Sequence, residues 1–147
     1  VDFWGMNMRL QPLQAIVAMH GINKLKDVIN KRNLNAKILD KSLKKLNPNI
    51  LVPKRLNKYK ETFALYMVLC KNRDKLLKYL IKNKIEAKIH YPIPLHLQKA
   101  AKKLGYIKGS FPKAEYQAKN LITLPVHQFL NKKQINFMIK KIKDFYN

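Results

Sequence analysis

Two prolines set the strongest constraint on this chain. Pro92 and Pro94 follow an apolar run, 85–89, that has the character of a strand. Neither proline can donate to a sheet ladder, so a strand over 85–91 must stop there. Each residue ahead of a proline is driven toward extended geometry. His90-Tyr91-Pro92-Ile93-Pro94-Leu95-His96 is therefore expected to be a stiff, extended loop carrying two imidazoles and a phenol in seven residues. Such a loop either presents side chains to a ligand or turns at the surface with its tyrosine packed on the domain. The loop alone leaves both readings open.

The segments around it supply a fold. Residues 62–70 are aromatic and apolar, the pattern of a buried strand, and Cys70 at their end fits a small buried hydrophobe. Asn72 is placed to cap a helix over 73–83, with Leu76, Leu77, Leu80 and Ile81 on its inner face. With the strand 85–91 this makes a strand–helix–strand unit at the centre of a small layer. Upstream, Pro12 suits a first helical turn. Leu13, Ile16, Val17 and His20, then Leu25, Val28 and Ile29, recur at helical spacing. A long helix or helix pair is expected over about 12–46, with Gly21 a bend or a close packing point. Asn47-Pro48-Asn49 ends it, and a polar connection follows, through Pro53 to Lys60.

Downstream of the loop, 97–104 reads as a short helix stopped by Gly105, and Gly109-Ser110-Phe111-Pro112 as a turn. Pro112 opens a helix through Ala118, 121–125 is a brief extended piece, and Asn131 caps a final amphipathic helix with Gln134 at the capping-box position. The expected fold class is α/β of the α+β kind: a small mixed or antiparallel sheet flanked by helices, behind a long N-terminal helix. At 147 residues one core and one domain are expected.

The net charge of +23 invites a nucleic-acid reading, but its composition argues against one. Of 31 basic residues four are arginine (Arg9, Arg32, Arg55, Arg73), and the lysines are scattered along every segment. Specific phosphate and base contacts favour the planar fork of arginine. The charge fits a solvated surface with some attraction for phosphorylated small molecules. No apolar stretch approaches the ~18–20 residues of a membrane span, so no membrane partner is expected, and a lone cysteine suits a reducing, cytoplasmic setting. The four histidines (His20, His90, His96, His127) do not fall at helical ligand spacing, and no carboxylate or thiolate near His90 and His96 completes a metal shell. His20 is read as a helix histidine. His127 is read as structural, with a place in the same cleft as the proline loop as the alternative. His90 or His96 could do acid–base work, since imidazole titrates near neutrality.

The N-terminal stretch Val1-Asp2-Phe3-Trp4-Gly5 is apolar from its first position and has the character of the interior of a longer protein. Gly5-Met6-Asn7-Met8-Arg9-Leu10-Gln11-Pro12-Leu13-Gln14-Ala15 resembles the G-x-N-x-R-[ML]-x-x-[LI]-Q-A motif of the DegT/DnrJ/StrS sugar aminotransferases. Other pieces found in that family follow in the same order. They are Tyr66-Met67-Val68 with Arg73-Asp74, then His90 to His96, Gly109 to Glu115, and Leu121-Ile122-Thr123-Leu124-Pro125-Val126. The resemblance covers essentially the whole chain.

It implies the C-terminal part of a fold-type I enzyme using pyridoxal 5′-phosphate, with residues 1–46 as the connecting and long-helix segment. The family's N-terminal domain supplies the Schiff-base lysine, the aspartate on the pyridine nitrogen and the stacked aromatic. This segment alone is then expected to be inactive. The implied activity of the whole is transfer of an amino group, expected from glutamate, to a nucleotide-linked keto-sugar in a homodimer. Asn7 and Arg9 are implied to reach the cofactor phosphate of the other subunit, and an amide and a guanidinium both donate to phosphate oxygens. His90, Tyr91 and His96 are implied substrate contacts, with packing the alternative for Tyr91. One departure is Ala64, where many members carry a histidine two residues before the position of Tyr66. Two readings compete: a sugar dehydratase of the same family, which places a histidine where the Schiff-base lysine would be, and a basic nucleic-acid-binding module.

Overall fold

A computed structural model describes the chain apart from Val1, Phe3, Asn7, Arg9 and Asn57. The expected cofactor contacts Asn7 and Arg9 thus lie outside the described residues. Helix α1 (Pro12–Ile22) opens on Pro12, and Gln11 N–H donates to Gln14 Oε1 at 3.0 Å. The helix ends just past Gly21, and α2 (Leu25–Leu43) starts after a two-residue turn, so the expected long element is a helix pair. The buried positions of α2, Asn35, Ala36, Leu39, Asp40 and Leu43, form a stripe at 3.6-residue spacing. No residue of α1 is buried: Leu13, Ile16, Val17, Met19 and Ile22 are 62–72% exposed.

The sheet has three antiparallel strands in the order β1 (Ile50–Leu51), β2 (Tyr66–Cys70), β3 (Leu121–Leu124). Strand β1 lies where a polar connection was expected. Ile50 pairs with Cys70 and Leu51 with Leu69, and this pairing draws the two residues into the sheet. Strand β2 starts at Tyr66 rather than Thr62, because Phe63 adopts φ +49° and breaks the extended run. Tyr66, Val68 and Cys70 face the core, where they meet Leu39 and Leu43 of α2 and, from α5 (Lys132–Tyr146), Ile135 and Ile142.

Helix α3 (Arg73–Lys82) follows β2, with Leu76 and Leu80 buried. Asn72 does not cap it with its side chain. It takes the left-handed conformation, φ +55°, that asparagine tolerates, and Leu76 N–H bonds its backbone oxygen at 2.9 Å. The expected strand 85–91 shrinks to a single bridge, Lys88 to Thr123. Ala87 N–H turns back to Ile85 C=O at 2.9 Å, Tyr91 sits at φ +56°, and Pro92 has no N–H. The bridge lies on the side of β3 away from β2, so the loop 90–96 leaves from the sheet's open edge.

The expected helix 97–104 is two short 3-10 turns, Leu95–Leu97 and Lys99–Leu104, stopped at Gly105 with φ +74°. Helix α4 (Pro112–Asn120) then leads into β3. Buried Arg73 fastens α3 to this corner, donating to Ala118 C=O and Leu121 C=O, both at 3.1 Å. Asn131 and Gln134 form the expected capping box of α5, at 2.9 and 3.0 Å. Among the described residues no helix is long and apolar enough to cross a membrane.

Asp40 is the polar centre of this core. It accepts from Tyr66 Oη at 2.6 Å and from the Arg55 fork at 3.1 and 3.3 Å. Removing the carboxylate would strand a buried phenol and part of a guanidinium, so Asp40→Ala is expected to cost about 3–5 kcal/mol. Tyr66→Phe removes one bond to a charged group and is expected to cost about 1.5–3 kcal/mol. Urea unfolding midpoints check the order, and an Asp40→Ala loss no greater than that of Tyr66→Phe would contradict it.

Candidate functional site

The proline loop is pinned at both ends by its histidines. His90, at the end of the bridged run, places Nδ1 2.9 Å from Thr123 Oγ1 on β3. His96, on the first 3-10 turn, is buried, with Nε2 3.0 Å from Glu115 Oε1 on α4. Between the pins Tyr91 is 75% exposed in the left-handed region, a conformation a bulky side chain rarely adopts. Tyr91 therefore presents its ring outward rather than packing on the core.

Glu115 serves two segments at once. Its Oε1 also accepts from Gly109 N–H at 2.7 Å, so one carboxylate oxygen ties the 109–111 turn to the proline loop. The backbone N–H of Gly109, then the His96 ring, hold the Glu115 carboxyl below its ordinary range. Phe111 closes over His96 edge-on at 4.9 Å and meets Tyr106 at 5.0 Å.

Two cavities, of about 650 and 640 Å³, share His90 and Leu65 in their walls. The first is cationic, with Arg32, Lys84, Lys88 and Lys133 in its lining. Arg32 is held there by Gln128 Oε1 at 3.1 Å. The one carboxylate of that lining, Glu86, is paired with Lys88 at 2.7 Å, and this bond lowers its pKa. His127 lines this cavity, so the alternative placement of that residue beside the loop is the one observed. The second cavity is apolar and aromatic, walled by Trp4, Tyr91, Tyr106 and Phe111, with His96 behind them. The geometry suits a ligand with an anionic part and a less polar part, joined near His90.

His90, Tyr91 and His96 are thus brought together, but differently disposed: His90 lines both cavities, Tyr91 is open, and His96 is spent on Glu115. His20 lies exposed on α1, away from both cavities. Among the described residues no group of three or more histidine, cysteine, aspartate or glutamate side chains is placed to hold a metal ion. All lysines are described, and none is buried. A lysine that carries a carbonyl cofactor needs a desolvated pocket to be nucleophilic, and no lysine of this chain has one. Arg32, Glu115 and Thr123 were missed from sequence. The available signals were faint: Arg32 is one of four arginines among 31 basic residues, and Thr123 is the hydroxyl in an apolar strand.

Comparison with known proteins gives this geometry a family. A family model described as the DegT/DnrJ/EryC1/StrS aminotransferase family matches residues 1–143. A "Pleiotropic regulatory protein" of Geobacillus stearothermophilus is 31% identical over 97% of this chain and 38% of its own length. A dTDP-3-amino-3,6-dideoxy-alpha-D-galactopyranose transaminase of Aneurinibacillus thermoaerophilus is 28% identical over 97% of this chain and 38% of its own. The crystal structure of S. venezuelae DesV in complex with a ketimine intermediate superposes with TM-score 0.88 at 28% identity, over 97% of this chain and 38% of that one. The chain thus spans 38% of the length of these curated relatives.

The lowered Glu115 pKa fixes a sign. A carboxyl whose folded pKa is depressed contributes stability that is complete above its unfolded value and lost as pH falls through the folded one. Stability is therefore expected to fall in the acid range below 4.5, the ordinary value. Glu115→Gln should remove this share of the loss. Thermal midpoints of both proteins from neutral into that range check it, and parallel curves would contradict the assignment.

Proposed function

The chain belongs to the DegT/DnrJ/EryC1/StrS aminotransferase family, and from that premise we propose that it is the C-terminal small domain of a pyridoxal-phosphate-dependent sugar aminotransferase. The proposed substrate is a keto-sugar carried on a nucleotide, and the proposed amino donor is glutamate. The single observation that carries the substrate reading is the meeting of a cationic and an aromatic cavity at His90. Arg32, Lys84, Lys88 and Lys133 suit a diphosphate. The outward phenol of Tyr91 and the ring of His90 suit sugar hydroxyls. His96, spent on Glu115, serves the substrate from the cavity wall by holding the loop in place.

Pyridoxal phosphate, when bound, supplies the electron sink that lets an amino group leave one carbon and join another. With no lysine of this chain buried, the lysine that carries the cofactor would come from outside these residues. The proposed share of this segment is two phosphate donors, Asn7 and Arg9, reaching the partner subunit's cofactor. Residues 1–46 would form the connecting segment. The exposed apolar faces of α1 support its burial against the cofactor domain or a second subunit of a homodimer, since a helix apolar all round is stable only when covered.

In the full-length enzyme, Arg9→Ala is expected to weaken cofactor affinity roughly 10- to 150-fold, the worth of a charge-assisted contact of about 1.5–3 kcal/mol. Equilibrium dialysis of pyridoxal phosphate reads this, and an unchanged affinity would remove Arg9 from the cofactor site. His90→Ala is expected to slow the half-reaction with the keto-sugar and to spare the half-reaction with glutamate. Single-turnover absorbance of the cofactor separates the two steps. Equal damage to both would assign the loop to the fold rather than to the substrate.

A further inference from the structure

Thr123 is 7% exposed, and its hydroxyl has one hydrogen-bond partner among the described residues, Nδ1 of His90 at 2.9 Å. Its backbone N–H and C=O are both taken by Lys88, at 2.8 and 3.0 Å. The direction of the hydroxyl–imidazole bond follows from which protons can be placed. A hydroxyl is donor and acceptor at once, while a neutral imidazole has one N–H and one lone pair. If His90 donated from Nδ1, the hydroxyl proton of Thr123 would have no acceptor among the described residues and could turn only to the first cavity, which Thr123 helps to line. If Thr123 donates to the lone pair of Nδ1, both groups are satisfied. The proton of the neutral ring then sits on Nε2.

Nε2 of His90 has no hydrogen-bond partner among the described residues, and His90 lines both cavities. We infer that Thr123 is a positioning residue, whose hydroxyl fixes the tautomer and plane of His90 so that Nε2–H is offered as a donor where the two cavities meet. His96 is set the opposite way. The ionised Glu115 can only accept, so the Nε2–H of His96 is spent inside the fold. One pin of the loop is therefore purely structural, and the other leaves a nitrogen for a ligand. Only the identity of that ligand rests on the proposed function; the tautomer does not.

The test is nitrogen-resolved NMR of the full chain with histidine alone isotope-labelled, at a pH where the rings are neutral. Replacing each of the four histidines in turn assigns the signals. His90 is expected in a single form, protonated at Nε2 and bare at Nδ1. Thr123→Val keeps the shape but removes the donor, so the Nδ1–H form should become populated, and Thr123→Ser should restore the single form. A wild-type His90 ring protonated at Nδ1 would overturn the inference even if Thr123→Val failed to fold, and so would an unaltered ring in a folded Thr123→Val. Uridine 5′-diphosphate added to the wild type separates the two proposals. A shift of the His90 Nε2–H signal supports both. An Nε2–H ring that ignores the diphosphate would support the tautomer and remove the anionic-ligand reading.

Discussion

The three-way contact of Asp40, Tyr66 and Arg55 is the interaction on which the rest of this structure depends. Asp40 comes from α2, Tyr66 begins β2, and Arg55 lies on the connection between them. Burial first, and then the hydrogen bond to Asp40, push the Tyr66 phenol well above its ordinary pKa, so it remains a donor at any physiological pH. Arg55 carries the contact outward. It reaches Glu61 at 3.2 Å and lies 5.0 and 5.4 Å from the ring centroids of Phe63 and Tyr66. Satisfied polar clusters in a low dielectric specify one arrangement, because every alternative leaves a charge unpaired. Here the arrangement specified is the point at which β2 starts. That point in turn places Ala64 and Leu65 at the rim of the first cavity.

From that anchored strand the site is built by successive registers. Tyr66 pairs with Leu124 and Met67 with Thr123, so β2 fixes how far β3 has advanced when it meets Lys88. Thr123 is thus shared between the sheet and the site: its backbone sets the bridge, and its hydroxyl sets His90. The proline loop is then rigid for two independent reasons. Its prolines restrict the backbone, and its terminal histidines are bonded to separate elements, β3 and α4. A loop ordered before its ligand arrives loses little further entropy on binding.

The charge of the molecule divides in a similar way. Most lysines lie exposed over the whole surface, where screening leaves them little individual effect. Lys84, Lys88, Lys133 and Arg32 differ because a concave wall gathers them in one place. Four cations against the single carboxylate of Glu86 leave an excess of positive charge around one cavity, and the resulting potential favours an anion. The composition of the chain alone could not separate these four from the others.

The features legible in the string of residues are local. The capping box at Asn131, the helix start at Pro12, the stop at Gly105 and the buried core of β2 all follow from residue chemistry over a few neighbours. The order of the motifs pointed to the family whose model matches residues 1–143. The remaining features depend on contacts between residues far apart in the chain. Ile50 and Leu51 became a strand because Leu69 and Cys70 lay alongside. The run 85–91 lost its ladder because its own backbone turned at Ala87 and one residue alone met β3. Thr123 and Glu115 took on their roles because folding brought them to His90 and His96, 33 and 19 residues away. Propensity and caps are encoded over a few residues and can be seen in a string of letters. Registers, pins and cavities are agreements between distant segments, and they come into being only when the segments are packed together.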